Sequence, residues 1–147
     1  MLFNTLNGRN AIVAYIEVKN VDGAGSLTQN LPVVLFADGN TADGIGGGHP
    51  ATVANRNWVG VANTTIGINS FGLSQVWGFR NSVLVSNMGT SITITAGDVV
   101  VPVSGTGLGV ASQSVAFTAV TGKLSAILLQ TVTVSASGYA KVMLRNI

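Results

Sequence analysis

Nineteen glycines divide this 147-residue chain into short runs that are rich in Val, Ile and Thr. β-Branched residues favour strands, and the glycine-bearing segments between such runs favour turns. In chain order the candidate strands are Ala11–Lys19, Leu31–Ala37, Trp58–Ala62, Gly72–Arg80, Ser82–Ser86, Ser91–Thr95, Val99–Val103, Val115–Ala119, Leu124–Val134 and Gly138–Arg145. Their short spacing predicts an all-β fold, mainly antiparallel, that forms a compact β-barrel or β-sandwich.

Turn chemistry supports the same fold class. Asp22 and Asp98 each lie beside a glycine, where an Asp side chain accepts hydrogen bonds from its own turn. Good helix formers are concentrated in Leu124–Gln130, so we predict at most one or two short helices. The turns predicted between later strands are Thr95–Asp98, Ser104–Gly109 and Ser135–Gly138.

The segment Asp38–Asn57 differs from the rest of the chain because Asp-Gly, Gly-Gly-Gly and His-Pro sequences interrupt any strand pattern. It predicts a long irregular loop or arm, which we expect to become ordered against a neighbouring subunit. The length suits one domain, residues 1–147. Within it, residues 1–57 supply the N-terminal strands and this glycine-rich arm (38–57), and residues 58–147 form the barrel or sandwich core.

The balance of apolar and charged residues indicates an assembly. Apolar residues make up 47% and charged residues only 8%, against about 25% charged in typical soluble domains. The mean hydropathy is +0.51, yet no apolar run approaches the roughly 20 residues that a membrane helix needs. We therefore predict no membrane contact, and a homo-oligomer whose surplus apolar surface is covered by neighbours.

The basic residues do not indicate nucleic-acid binding. The formal net charge is +2, from seven Lys and Arg against five Asp and Glu residues. Nucleic-acid-binding proteins cluster their cations, whereas these are scattered singly: Arg9, Lys19, Arg56, Arg80, Lys123, Lys141 and Arg145. The chain has no cysteine, which excludes disulfides and thiolate metal sites. Residues 1–10 lack a signal-peptide pattern, so we expect synthesis in the cytoplasm of the cell that makes the protein.

His49 is the only histidine and so the one candidate general base near neutral pH. A triad needs that base to be held by a carboxylate and to face a nucleophile. Asp38 and Asp43 are near His49 in sequence, but no nucleophile-elbow pattern is present. We predict that His49 is exposed or at an interface, that the protein is not an enzyme, and that it has no catalytic residues.

Two glycine-rich segments have the beginnings of ligand-binding motifs. Asp38–Gly44 starts like a calcium loop, but Ala42 and His49 occupy its fifth and twelfth positions, where the loop requires oxygen ligands. Gly105–Gly109 follows an apolar run, but Ser112 stands where a dinucleotide-binding loop needs its third glycine. We therefore predict no metal site and no cofactor.

Five aromatic residues offer an alternative function. Sugars stack on exposed aromatic rings, and Trp77 and Phe79 share one face of their predicted strand. The competing interpretation places such rings in the core or at a subunit interface, where they dominate the energy of burial. We favour the core or an interface, with a carbohydrate-binding or adhesion module as the alternative. The five residues are Trp58, Phe71, Trp77, Phe79 and Tyr139.

Four short segments form a series from Trp58 to the C-terminus: Trp58–Ala62, Gly72–Gly78, Thr95–Pro102 and Tyr139–Leu144. This series resembles the small capsid decoration, or cement, proteins of tailed bacteriophages. The resemblance covers about 90 residues, and residues 1–57 do not match it. It implies a β-rich protein, often a homotrimer, that lies on the capsid surface of the virion and stabilises the lattice of the major capsid protein. Another virion structural protein, such as a small coat or tail component, remains an alternative.

Overall fold

In a computed structural model of the protein, the described residues are 2–5, 12–36, 45–50, 58–86, 92–103, 107–110 and 125–145. Over these ranges the chain forms twelve strands and no helix. The strands are β1 (Leu2–Thr5), β2 (Ile12–Asn20), β3 (Pro32–Leu35), β4 (Gly46–Gly48), β5 (Trp58–Ala62), β6 (Phe71–Ser86), β7 (Ile92–Ile94), β8 (Val99–Val103), β9 (Gly107–Val110), β10 (Ser125–Leu128), β11 (Val132–Val134) and β12 (Ser137–Arg145). The predicted all-β fold is confirmed.

Ten of these strands share one sheet, and β7 and β11 pair separately as a two-stranded ribbon. The sheet order is β1-β2-β4-β3-β5-β6-β12-β10-β8-β9, and β6 also pairs with β2 and with β9. These extra pairings close two circuits of strands that share β6, and the result is a sandwich-like arrangement. Within the described strands the pairing is antiparallel except for β2 with β4 and β6 with β9. Strands from both sides of residue 57 therefore belong to the same sheet.

The long strand β6 replaces two predicted strands, and a bulge explains why they looked separate. Along β12, Ala140 pairs with Val83 and Val142 pairs with Arg80, so β6 has one extra residue between these pairs. Such a bulge shifts the alternation of side chains by one position. Arg80 and Val83 are consequently both buried although three positions separate them, and a strict period of two fails there.

Two groups of buried side chains form the interior. The larger core is Val34, Trp58, Val61, Val83, Val85, Ile94, Val100, Leu108, Ala126, Leu128, Val134, Ala140, Val142 and Leu144. The smaller core is Val18, Leu27, Val33, Ala62 and Ile66. Every second residue of β12 from Ala140 to Leu144 is buried, as the alternation of side chains along a strand requires. Both cores draw side chains from residues 1–57 as well as from later strands.

A buried arginine joins the turn before β3 to β5 and β6. One terminal guanidinium nitrogen (Nη1) of Arg80 donates to Asn63 Oδ1 at 2.7 Å and to Gln75 Oε1 at 3.2 Å. The other (Nη2) donates to Asn30 Oδ1 at 2.7 Å and to the Ala62 carbonyl at 3.0 Å. Burial lowers the pKa of Arg80, and no described carboxylate forms an ion pair with it. Among the described residues, the side-chain partners of this cation are therefore neutral oxygens.

The prediction that Asp38–Asn57 is irregular is wrong at β4. Gly46, Gly47 and Gly48 are buried and pair with β2 on one side and β3 on the other. A Cβ on Gly47 would run into Val18 Cγ1 and approach Val33 Cγ1 at 3.0 Å. Glycine lets β2 and β3 approach this closely, so backbone pairing, without any side-chain pattern, defines the strand. Residues 38–44 and 51–57 lie outside the described residues.

Two further local predictions need correction. The predicted strand Leu124–Val134 is divided into β10 and β11, and its helix-forming part is strand where it is described, because Ser125–Leu128 pairs with β8 and β12. The predicted turn Ser104–Gly109 is wrong at its end, since β9 begins at Gly107 and pairs with β8. In both segments tertiary pairing overrides local preference. The predicted strand Val115–Ala119 lies outside the described residues.

Candidate interaction surface

Four apolar side chains form a line across neighbouring strands on the side of the sheet opposite the larger core. Phe79 on β6 lies opposite Met143 on β12, Met143 lies opposite Ile127 on β10, and Ile127 lies opposite Val99 on β8. Directly opposed residues share a face of a sheet. Phe79 and Val99 are each 39% exposed, and Met143 and Ile127 are half-buried. We call these four residues the outer apolar row.

The residues one position away from the row on β12, β10 and β8 show why the row points outward. Leu144 on β12 lies opposite Ala126 on β10, and Ala126 lies opposite Val100 on β8. All three are fully buried in the larger core. Because side chains alternate across a strand, the residues one position away must face the other side. The same alternation that builds the core therefore builds an exposed apolar surface.

The two exposed charged side chains on the strands of the row are both positive. Lys141 and Arg145 lie two residues on either side of Met143 on β12, share its face, and are exposed. None of β6, β8, β10 and β12 contains an Asp or Glu residue. Asp98 precedes β8, but its Oδ2 accepts the Thr95 N–H at 2.9 Å, as its predicted turn role requires. The surface thus combines an apolar centre with two cationic flanks.

His49 lies in a different part of the molecule, beside Asp22. Nδ1 of the His49 ring is 2.8 Å from Asp22 Oδ2, which also accepts the His49 backbone N–H at 2.8 Å. Asp22 Oδ1 accepts the Ala24 N–H at 2.8 Å, which confirms the predicted turn role of Asp22. Burial by itself would raise the pKa of Asp22, but the hydrogen bonds from His49 and Ala24 bring that pKa below its ordinary value. The half-buried pair ties the end of β4 to the turn after β2.

The chemistry available to this pair is limited by its surroundings. Sequence proximity indicated Asp38 and Asp43 as the carboxylates nearest His49, whereas the fold brings Asp22 to its ring. No hydroxyl group of a described residue is hydrogen-bonded to that ring, so none of those hydroxyls is activated by the pair. Among the described residues no three His, Asp or Glu side chains are grouped as metal ligands. Asp38, Asp43 and the Asp38–Gly44 segment lie outside those residues.

The aromatic candidates for sugar binding separate into different environments. Trp58 is 1% exposed, and its indole N–H donates to the Gly60 carbonyl at 2.6 Å, so it belongs to the core. Trp77 is half-buried on the same outward face as Phe79, as predicted. Tyr139 is exposed on the outward face of β12, two residues before Lys141. Phe71 is exposed at the start of β6, and the Lys19 ammonium lies 5.6 Å from the centre of its ring. A stacking role for Trp58 is therefore wrong.

Comparisons with known proteins add no assignment: no family model matches the chain, and no curated protein matches it. In the part of the chain that is described, no helix is long and apolar enough to cross a membrane.

Proposed function

We propose that the protein is a virion structural protein, a capsid decoration or cement protein that lies on the capsid surface and stabilises the major capsid lattice of a tailed phage. The observation that carries the proposal is the outer apolar row, an exposed apolar band on a paired sheet. Such bands mark sites of protein contact more often than sites of chemistry. The resemblance of Trp58–Ala62 and the three later segments supports the same role.

The size of the surface is compatible with binding. Strands are spaced about 4.8 Å apart, and each residue of a strand extends it by about 3.4 Å. The nine residues of β12, the part of β6 that pairs with them, the five residues of β8 and the four of β10 therefore cover roughly 450 Å². A contact that covered this face would bury about 900 Å² on both partners, which is below the standard size and typical of a weak contact. Several such contacts on one particle would act together through avidity.

Composition supports self-association as a second contact. With 47% apolar and 8% charged residues, the chain has little charge to keep copies apart. We propose a homo-oligomer on this ground, and a trimer on the ground of the resemblance. Its other partner is the major capsid protein, and neither nucleic acid nor membrane takes part.

Two alternatives predict different results. Another virion role, as a small coat or tail component, would use the same surface at a different place in the particle. A carbohydrate-binding or adhesion module is favoured by one observation, the shared outward face of Trp77 and Phe79. Retention on immobilised glycans that is lost on Trp77→Ala would support that module.

The proposed function is tested on shells assembled without this protein. Purified protein is added to such shells, and bound protein is measured by co-sedimentation, together with its own mass by analytical ultracentrifugation. We expect an oligomer that binds the shells and protects them against heat and low salt. Shells that are equally stable with and without the protein would refute the reinforcing role, and a monomer at high concentration would refute self-association.

A further inference from the structure

We infer that the outer apolar row, with Lys141 and Arg145, binds a protein surface whose apolar centre is flanked by carboxylates, and that it does not bind a second copy of this chain. The inference rests on the proposed function because it names the chemistry of the partner that this surface meets. It does not depend on which virion component supplies that partner.

The apolar part of the argument concerns the centre of the surface. Phe79 provides a large ring, and Met143 in the middle of the row provides a flexible thioether that adapts to the shape of a partner. Aromatic residues near the centre of an interface supply much of its binding energy once water is excluded around them. The row lies on four hydrogen-bonded strands, so little backbone order is lost on binding.

The charge part of the argument decides between partners. In a symmetric contact the same patch meets itself, so the cations flanking one row would meet those of the other copy. Like charges brought together at an interface disfavour binding. The described acidic residues elsewhere in the chain offer little compensation, because Asp22 and Asp98 are hydrogen-bonded within their own turns and Glu17 alone is exposed on a strand. A partner with carboxylates beside an apolar centre satisfies both Lys141 and Arg145.

The experiment uses the full-length oligomer and two probes. One probe is shells that lack this protein. The other is a pair of synthetic peptides, glutamate-leucine-phenylalanine-leucine-glutamate and its lysine-flanked counterpart, titrated into ¹⁵N-labelled protein. The row variant is Phe79→Ser with Ile127→Thr, and the charge variant is Lys141→Glu with Arg145→Glu.

Matched controls come from Phe71 and Lys19, an aromatic ring and a cation that lie outside the row. Phe71 is 49% exposed on β6, and Lys19 lies over its ring on β2, away from the row. Phe71→Ser controls for loss of an exposed apolar side chain, and Lys19→Glu controls for charge reversal. Circular dichroism checks that every variant keeps the β spectrum of the wild type. The charge variant alters only exposed side chains, so we expect it to fold even if the row variant does not.

We expect the row and charge variants to weaken shell binding about tenfold or more, while both controls bind as the wild type does. Salt should weaken the binding of the wild type more than that of the charge variant. The glutamate-flanked peptide should shift amide signals of β10 and β12, and the lysine-flanked peptide should not.

The other outcomes separate this inference from the proposed function. Shell binding that both variants retain would overturn the inference and leave the function in place. A wild type that ignores shells but binds the acidic peptide at the row would overturn the function and support the inference. The inference would also be overturned if the protein responded equally to both peptides or to neither. It would be overturned as well if the row variant alone dissociated the oligomer, because a second copy would then occupy the row.

Discussion

Arg80 offers the sharpest test of what holds β6 to β5 and to the turn before β3. Its guanidinium donates four hydrogen bonds to neutral oxygens on the turn before β3, at the end of β5 and on β6 itself. We predict that Arg80→Met destabilises the protein substantially. Methionine keeps most of the apolar stem but donates no hydrogen bond, so the side-chain oxygens of Asn30, Asn63 and Gln75 lose this partner, whereas the Ala62 carbonyl keeps the Asn30 N–H at 3.0 Å.

The magnitude follows from which acceptors water can reach. Asn30 and Asn63 are half-buried and can bond to solvent instead, and the Ala62 carbonyl keeps the Asn30 N–H. Gln75 is 2% exposed, so its Oε1 is the acceptor left unpaired. An unsatisfied buried acceptor costs about 1–3 kcal/mol. Removing the buried cation also removes its desolvation cost, which offsets the loss of the other hydrogen bonds. The net loss in the free energy of unfolding should be about 1–3 kcal/mol.

Urea denaturation at a fixed protein concentration measures this loss, because concentration alters the apparent stability of an oligomer. With a slope of about 2 kcal/mol per molar urea, the midpoint should fall by about 0.5–1.5 M. Arg80→Lys should give an intermediate loss, since one ammonium nitrogen cannot reproduce a guanidinium fork. Arg145→Met makes the same change at an exposed site and should cost less than about 0.5 kcal/mol. If Arg80→Met and Arg145→Met unfold at the same midpoint, the network contributes nothing net and the reasoning is wrong.

Two further substitutions test the segment around β4. Asp22→Asn should destabilise the protein by about 1–2 kcal/mol at pH 7, because a neutral amide accepts more weakly from His49. The pKa of Asp22 is lower in the folded protein than in the unfolded chain, where it is about 3.9. The stability difference between the wild type and Asp22→Asn should therefore be complete above about pH 3.9 and vanish as the pH falls through the folded pKa. A stability difference that stays constant in denaturant titrations from pH 7 to pH 2 would contradict this. Gly47→Ala should cost about 1–3 kcal/mol in thermal unfolding, because its Cβ would collide with Val18. Gly23→Ala is the control, since no atom lies within 4 Å of a Cβ there, and equal losses at the two glycines would refute the packing argument.

The strands that sequence predicted best are short apolar runs with turn residues at both ends. Trp58–Ala62 and Val99–Val103 match β5 and β8 at both ends, and Gly138–Arg145 differs from β12 by one residue. Such a run can be recognised without its neighbours, whether consecutive residues are buried, as in β5, or alternate ones, as in β12. The bulge in β6 shows the limit, because one extra residue made a continuous strand look like two.

The strands that sequence missed, or left open to a helix, depend on neighbours. The glycines of β4 have no side-chain pattern, and β2 and β3 on either side make them a strand. β10 contains residues that also suit a helix, and pairing with β8 and β12 decides between the two. Local preferences differ by less than about 1 kcal/mol per residue, so several inter-strand hydrogen bonds and a buried side chain outweigh them.

The candidate surface divides in the same way. The sequence by itself determined that Met143 shares a face with Lys141 and Arg145, since alternate residues of one strand point the same way. It also determined that the chain has too few charges to cover its apolar residues. Only the tertiary structure decided that Phe79, Ile127 and Val99 line up with Met143, and that Asp22 holds His49. Those choices depend on register between segments far apart in the chain, and register is set by pairing and core packing across the whole sheet.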